Sequence, residues 1–422
     1  MSLDNAAKIF PAARRRNWSN LFRLSATFDD EIDIPCLEAA LDKAVKRFPS
    51  IAVRVRPGFF WYYIEQIPKA PEILDEKPYP LSKMPFDDIR KCAFRVVVWK
   101  NRMAVEFFHA LTDGNGGFVF LKSLAAEYIR ERYGHDVPCE GGVLSMEEEP
   151  RPEETEDSFQ RYAGKYKMSR SDTDSFRILD KREKDGYRTN TTFIFDCDEM
   201  LKRAREKNVT LTVYTVAALT VAAMRVQESS VRSKRRYKPV KVVIPVNLRK
   251  IFPSETLRNF ALYATSSVDP RLGEYDFDEI IKIVHHQMQL QITDKNMAAM
   301  IAKNVGDEKP MAMRLAPLFL KNIVMKLVYM SVGERKSCFS FSNLGGVSLP
   351  EEMERHIERM DFVLGSQAYA PYNVSALSYK GKMYMNIIRN IEKPLLEYEI
   401  YRVYRELGFN VYAESNSRIK EN

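Results

Sequence analysis

The segment Phe107-Phe108-His109-Ala110-Leu111-Thr112-Asp113-Gly114-Asn115-Gly116-Gly117 gathers residue types suited to acid–base chemistry. An imidazole near its unperturbed pKa of about 6.5 can take a proton at neutral pH. Asp113 follows His109 by four positions, and three glycines permit the backbone to reverse just beyond it. The chain has only 5 histidines, so one beside such a turn stands out against a histidine that merely closes a strand. The glycines lack the Lys-Ser/Thr of a P-loop and the full G-x-G-x-x-G spacing, which argues against a nucleotide cradle. His285 and His286 are adjacent on a predicted helix and face different directions, so no metal site is expected there.

Placing His109 requires a strand that ends at it. Residues 93–99 and 103–108 read as a hairpin with its turn at 100–102, and residues 118–132 as the helix that follows the glycines. Upstream, residues 21–28 read as a strand. Leu37, Ala40, Leu41, Ala44, Val45 and Phe48 form an apolar stripe at helical spacing, between Pro35 in the first turn and Pro49 at the stop. Residues 51–56 and 59–64 form a second hairpin around Pro57-Gly58.

In the second half, strands are predicted at 191–195, 240–246, 338–342, 373–379 and 383–388, and helices at 211–226, 280–291, 315–328 and 395–407. The acidic, proline-broken stretch 147–154 reads as a solvated surface loop. The crossing between domains is placed between about 172 and 189, giving lobes of residues 1–180 and 181–422. The fold class is mixed α/β in two lobes.

At 422 residues the chain can bury a large core without staples, and its ordinary composition excludes a disordered or collagen-like polymer. Cys36, Cys92, Cys139, Cys197 and Cys338 are dispersed and form no C-x-x-C pair, which suits a reducing compartment. The first twenty residues contain no apolar core of a signal peptide, and no run is long enough to span a bilayer. A cytoplasmic protein without a membrane span is expected. The 65 Lys and Arg exceed the 57 Asp and Glu by a mild +8, compatible with a basic surface or with a phosphate-bearing ligand. A nucleic-acid surface is not expected, because the basic run Arg232-Ser233-Lys234-Arg235-Arg236-Tyr237-Lys238 carries a single aromatic.

His109-Ala110-Leu111-Thr112-Asp113-Gly114 resembles the H-x-x-x-D-G signature of the chloramphenicol-acetyltransferase-like superfamily. Val243-Ile244-Pro245-Val246-Asn247-Leu248-Arg249, then Arg258-Asn259-Phe260, and Ser342-Asn343-Leu344-Gly345 resemble blocks of its bacterial alcohol acetyltransferase branch. Phe108 stands where condensation domains commonly carry a second histidine, and the D-F-G-W-G motif of the plant enzymes is not evident.

The resemblance implies two lobes, each a mixed sheet covered by helices, with a channel between them. It implies His109 as the base that deprotonates an acceptor hydroxyl, and direct acyl transfer from coenzyme A as co-substrate. It implies that Asp113 points away from the substrate and pairs with Arg249, so that Asp113, Gly114 and Arg249 support the site. Asn343 is the candidate donor to the developing oxyanion, against the alternative of a turn asparagine. The basic run 232–238 either meets the coenzyme phosphates or is a solvated connector. The expected partners are an acyl thioester of coenzyme A and a small alcohol, with no resident cofactor, no metal and no obligate protein partner. Amide formation, a carrier-protein donor, and a non-catalytic binding protein of the same fold stay open as alternatives.

Overall fold

Side chains alternate along residues 21–28, so Phe22, Leu24, Ala26 and Phe28 share one face while Arg23 and Ser25 share the other. Both faces are nevertheless buried. The reason is visible in the computed structural model, which describes residues 1–13, 20–164, 173–306, 316–328, 336–367 and 370–418. The apolar face meets helix Gly114–Tyr133, and Arg23 and Ser25 on the polar face line a cleft shared with Asn190, Thr192 and Asn386 of the second sheet.

The strands are β1 (Leu21–Phe28), β2 (Val53–Pro57), β3 (Tyr62–Gln66), β4 (Leu74–Asp75), β5 (Phe94–Trp99), β6 (Arg102–Phe108) and β7 (Thr189–Asp196). They continue as β8 (Val240–Asn247), β9 (Ala261–Val268), β10 (Phe339–Gly346), β11 (Ile357–Leu364), β12 (Tyr372–Tyr379), β13 (Lys382–Arg389) and β14 (Tyr412–Ser415). One sheet runs in the order β11-β1-β6-β5-β4, and the other in the order β14-β7-β13-β12-β10-β8-β9. β2 and β3 form a separate hairpin. The five-stranded sheet takes β11 from the second half of the chain, antiparallel to β1 with Arg23 opposite Val363 and Ser25 opposite Asp361.

The predicted fold class is the one observed, and each sheet is covered by helices. Ile34–Arg47 and Gly114–Tyr133 pack together over the first core, which holds Phe22, Leu41, Phe107 and Phe120. Asp33 caps the first of these helices by accepting from the Cys36 N–H at 2.9 Å. Gly134, at φ 69°, ends the second in the left-handed conformation that favours glycine. In the other lobe Leu211–Ser230 lies between Phe277–Gln291 and Leu395–Glu406. It is buried through most of its length, as its near-continuous apolar sequence requires. No single described helix is long and apolar enough to cross a membrane.

The predicted hairpins are found within two or three residues of their expected bounds. Lys380 (φ 45°) and Gly381 (φ 72°) make the two-residue turn between β12 and β13. The helix expected over 315–328 is Leu318–Val328, residue 315 lying outside the described residues. The acidic stretch is not simply a solvated loop. Glu154 is buried and accepts two hydrogen bonds from Arg47, at 2.6 and 3.0 Å, so a carboxylate that reads as surface in fact pins the stretch to the first core. The basic run 232–238 is mostly exposed around a short turn of helix, with Tyr237 alone tucked in. All five cysteines are free thiols.

Candidate active site

Strand β6 delivers His109 at its C-terminal end, and the His109 N–H donates to the Asn20 carbonyl at 2.9 Å, fixing it beside the start of β1. The imidazole stacks on Phe10 at a centroid separation of 4.8 Å and meets Phe22 edge-on at 5.1 Å. Its Nδ1 is enclosed and makes no hydrogen bond of good geometry among the described residues. Burial is the largest influence on its charge and holds the pKa below the usual 6.5. The residue's own carbonyl, the Asp113 carboxylate and the Asn259 amide pull the other way. Burial thus favours the neutral form of the ring near neutral pH.

Asp113 turns away from this ring. Its Oδ1 accepts from the N–H groups of Asn115 and Gly116, both at 3.1 Å, which makes Asp113 the N-cap of helix Gly114–Tyr133. Its Oδ2 accepts from Arg249 Nη1 at 2.7 Å and from the Phe260 N–H at 2.8 Å. Arg249 also donates to the carbonyls of Thr256 and Arg258, at 2.6 to 2.9 Å, and to Asn247 Oδ1 at 3.3 Å. Both side chains of the pair are more than nine-tenths buried. Thr112 adds a 2.6 Å bond from its hydroxyl to the Leu257 carbonyl. Residues 256–260 are thus tied to the histidine turn through four separate groups.

The three glycines serve a different purpose from the one expected. None of Gly114, Gly116 and Gly117 has a positive φ; they form the first turn of the helix rather than a reversal. What they lack in side chain is what matters. A Cβ on Gly116 would stand 2.1 Å from the Leu257 carbonyl oxygen, and one on Gly117 would stand 3.0 Å from the Phe22 ring. A Cβ on Gly114 would meet Leu344 at 2.9 Å. Because its obstacle is backbone, Gly116→Ala is expected to cost about 1–3 kcal/mol or more, read as a lowered midpoint in denaturant unfolding. An unchanged midpoint would mean that segment 256–260 is not held against the turn.

Asn343 lies on β10, one residue before Leu344. Its Oδ1 accepts from the Gly345 N–H at 2.9 Å, and its Nδ2 donates to Thr212 Oγ1 at 3.4 Å. The turn role is therefore present, and the long bond to Thr212 leaves the amide only weakly engaged. On helix Phe277–Gln291 His285 is half-buried and His286 exposed, and no cluster of metal-binding side chains occurs among the described residues.

Sequence reasoning did not anticipate Phe10, Phe22 or Thr112 around the site. Asn259 lay inside the block already singled out, where it served only as a landmark. It also donates to Asp4 Oδ2 at 3.4 Å, and burial pushes the Asp4 carboxyl up to about 7 beside Arg258.

Neither a protein-family model nor a curated protein sequence matches this chain. Solved structures do. Polyketide synthase associated protein 5 from Mycobacterium tuberculosis aligns over 96% of both chains at 13% identity, with a TM-score of 0.60. TRI101 of F. sporotrichioides, complexed with coenzyme A and T-2, aligns over 99% of both chains at 12% identity, with a TM-score of 0.60. The epimerization domain from the third module of tyrocidine synthetase B covers 96% of this chain and 94% of its own at 13% identity, with a TM-score of 0.60. At such identities the likeness is one of fold. The chain has the two-lobed chloramphenicol-acetyltransferase-like fold.

Proposed function

We propose that the protein is an acyltransferase that moves an acyl group, acetyl in the first instance, from coenzyme A to an alcohol hydroxyl. The observation that supports this most is the state of His109. A neutral imidazole is clamped between two aromatic rings, on a turn whose aspartate is committed elsewhere. With Nδ1 enclosed, Nε2 is the nitrogen left to take the acceptor proton. The alcohol oxygen then attacks the thioester carbonyl carbon. The C–S bond breaks, and the proton passes from His109 to the departing sulfur, giving an ester and free coenzyme A thiol. No acyl-enzyme is needed.

Holding both substrates in one channel supplies the orientation term, which exceeds what the base alone contributes. Charge developing on the carbonyl oxygen needs a donor, and the weakly engaged Asn343 amide is assigned to it. Asp113, Gly114 and Arg249 act as positioning residues that hold the turn. TRI101, of the same fold, is complexed with coenzyme A, which supports that donor. An amine acceptor is the second reading, since the first condensation domain of the CDA synthetase shares the fold.

Release of free thiol from acetyl-coenzyme A, measured across alcohols and amines, tests the assignment. Thiol release with an alcohol that disappears in His109→Ala is expected. Release with amines alone would transfer the reading to amide formation. No release above the His109→Ala background with any acceptor would make this a binding protein.

A further inference from the structure

Helix Leu318–Val328 is turned inside out. Its Lys321 is 1% exposed and donates to the Phe60 carbonyl at 2.9 Å, with the ammonium 3.8 Å over the Trp61 ring. Asn322, half-buried beside it, donates to the Tyr62 hydroxyl at 3.0 Å. Phe319, Leu320, Ile323 and Val324 recur at helical spacing on the other side and are 45 to 65% exposed. A surface helix ordinarily buries its apolar stripe and gives its polar face to water. Here the polar side chains hold the helix down, and the apolar ones face out.

The helix is seated on the tip of the β2–β3 hairpin, where the Leu318 N–H donates to the Phe59 carbonyl at 2.9 Å. Phe59 and Phe60 at that tip are 74% and 40% exposed, their rings edge to face at 4.8 Å. Exposed apolar side chains from two elements thus collect in one place, which marks an interaction surface rather than scattered surface residues.

The charges beside this patch are of one sign. Residues 57–64 and 316–328 include Lys321 and the exposed Lys326 but no acidic residue. Lys8 adds a third ammonium, 5.2 Å from the centre of the Trp61 ring. Glu65, the one carboxylate of the hairpin, is already held by Arg54 and Arg56. A symmetric dimer would pair the patch with itself, bringing like charges together with no carboxylate to answer them. Anionic lipid headgroups do answer them, and the +8 charge of the chain adds a longer-range attraction. Adjacent aromatic rings suit the boundary between headgroups and acyl chains.

We propose that helix Leu318–Val328 and the hairpin tip form a docking surface for an anionic lipid membrane. The apolar side chains enter the acyl boundary and Lys326 meets the headgroups. Helix Ile9–Ala13 joins this surface to the candidate site, since it packs on Leu318–Val328 and its Phe10 stacks on His109. The surface is independent of the acyl-transfer assignment.

Co-sedimentation of the whole chain with vesicles tests the proposal, using phosphatidylcholine mixed equally with phosphatidylserine and, separately, phosphatidylcholine alone. Wild type is expected to bind the mixed vesicles, and to bind them less tightly as salt rises. Phe319→Asn with Ile323→Asn should weaken that binding roughly tenfold or more, because both side chains lose apolar area to bury. Phe59→Asn with Phe60→Asn, on the other element, should weaken it likewise, which keeps the test open if the helix variant does not fold. Sedimentation velocity without lipid should show a monomer. The proposal is overturned if wild type does not bind the mixed vesicles, or binds phosphatidylcholine alone as tightly. It is overturned equally if either folded variant binds as wild type does. A lipid-free dimer that Phe319→Asn with Ile323→Asn converts to monomer would also overturn it, by giving the surface to a second copy.

Discussion

His109→Ala is expected to lower kcat/KM for acyl transfer by about 10²- to 10⁴-fold, the range a positioned general base contributes. Affinity for coenzyme A should change little, because the imidazole acts on the acceptor proton. The pH profile supplies a second readout. Burial depresses the His109 pKa below 6.5, so the neutral, active form persists through neutrality, and activity should fall only as pH drops through that lower value. Asp4, whose carboxyl burial pushes up to about 7 and which bonds Asn259, makes an attribution control necessary. Asp4→Asn should leave the more acidic limb in place. A His109→Ala enzyme that turns over like wild type on its true acceptor would remove the histidine from the chemistry.

The largest effect on stability is expected from the pair of Asp113 and Arg249. Both are buried, and each satisfies backbone groups as well as its partner. Asp113→Ala strands a guanidinium, and Arg249→Ala strands a carboxylate along with the Thr256 and Arg258 carbonyls. Each should cost roughly 3–5 kcal/mol in denaturant unfolding and lower activity with it. The double variant should lose less than the two together, because its partners share one network. An additive cycle would dissolve the pair as an energetic unit. If Asp113→Asn kept the fold but abolished turnover, Asp113 would belong to the chemistry instead.

The histidine turn and its ion pair were legible because their residues come in short blocks. His109 and Asp113 share one turn, and Arg249 follows two residues after a strand whose β-branched density marks it. The aromatic clamp was not legible, since Phe10 and Phe22 come from about a hundred residues upstream and signal only as core. The hairpins β5–β6 and β12–β13 followed from alternation and turn residues. β11 did not, because Glu358, Arg359 and Asp361 break its apolar pattern, and only the cleft between the sheets gives Arg359 and Asp361 a reason to be there. Glu154 misled in the same way: a charged residue reads as solvent-facing until its partner, here Arg47, is seen.

β11 also sets the order in which a newly made chain can finish its parts. β1, β5 and β6 leave the ribosome early, but the strand that covers the free edge of β1 follows about 250 residues later. At the usual ~5–20 residues per second of synthesis, that edge stays unpaired for roughly 10–50 s, with Arg23 at its centre. The nascent first lobe is therefore a natural client for a chaperone. A gene split between the two halves would yield a first fragment with a permanently open, pairing-competent edge.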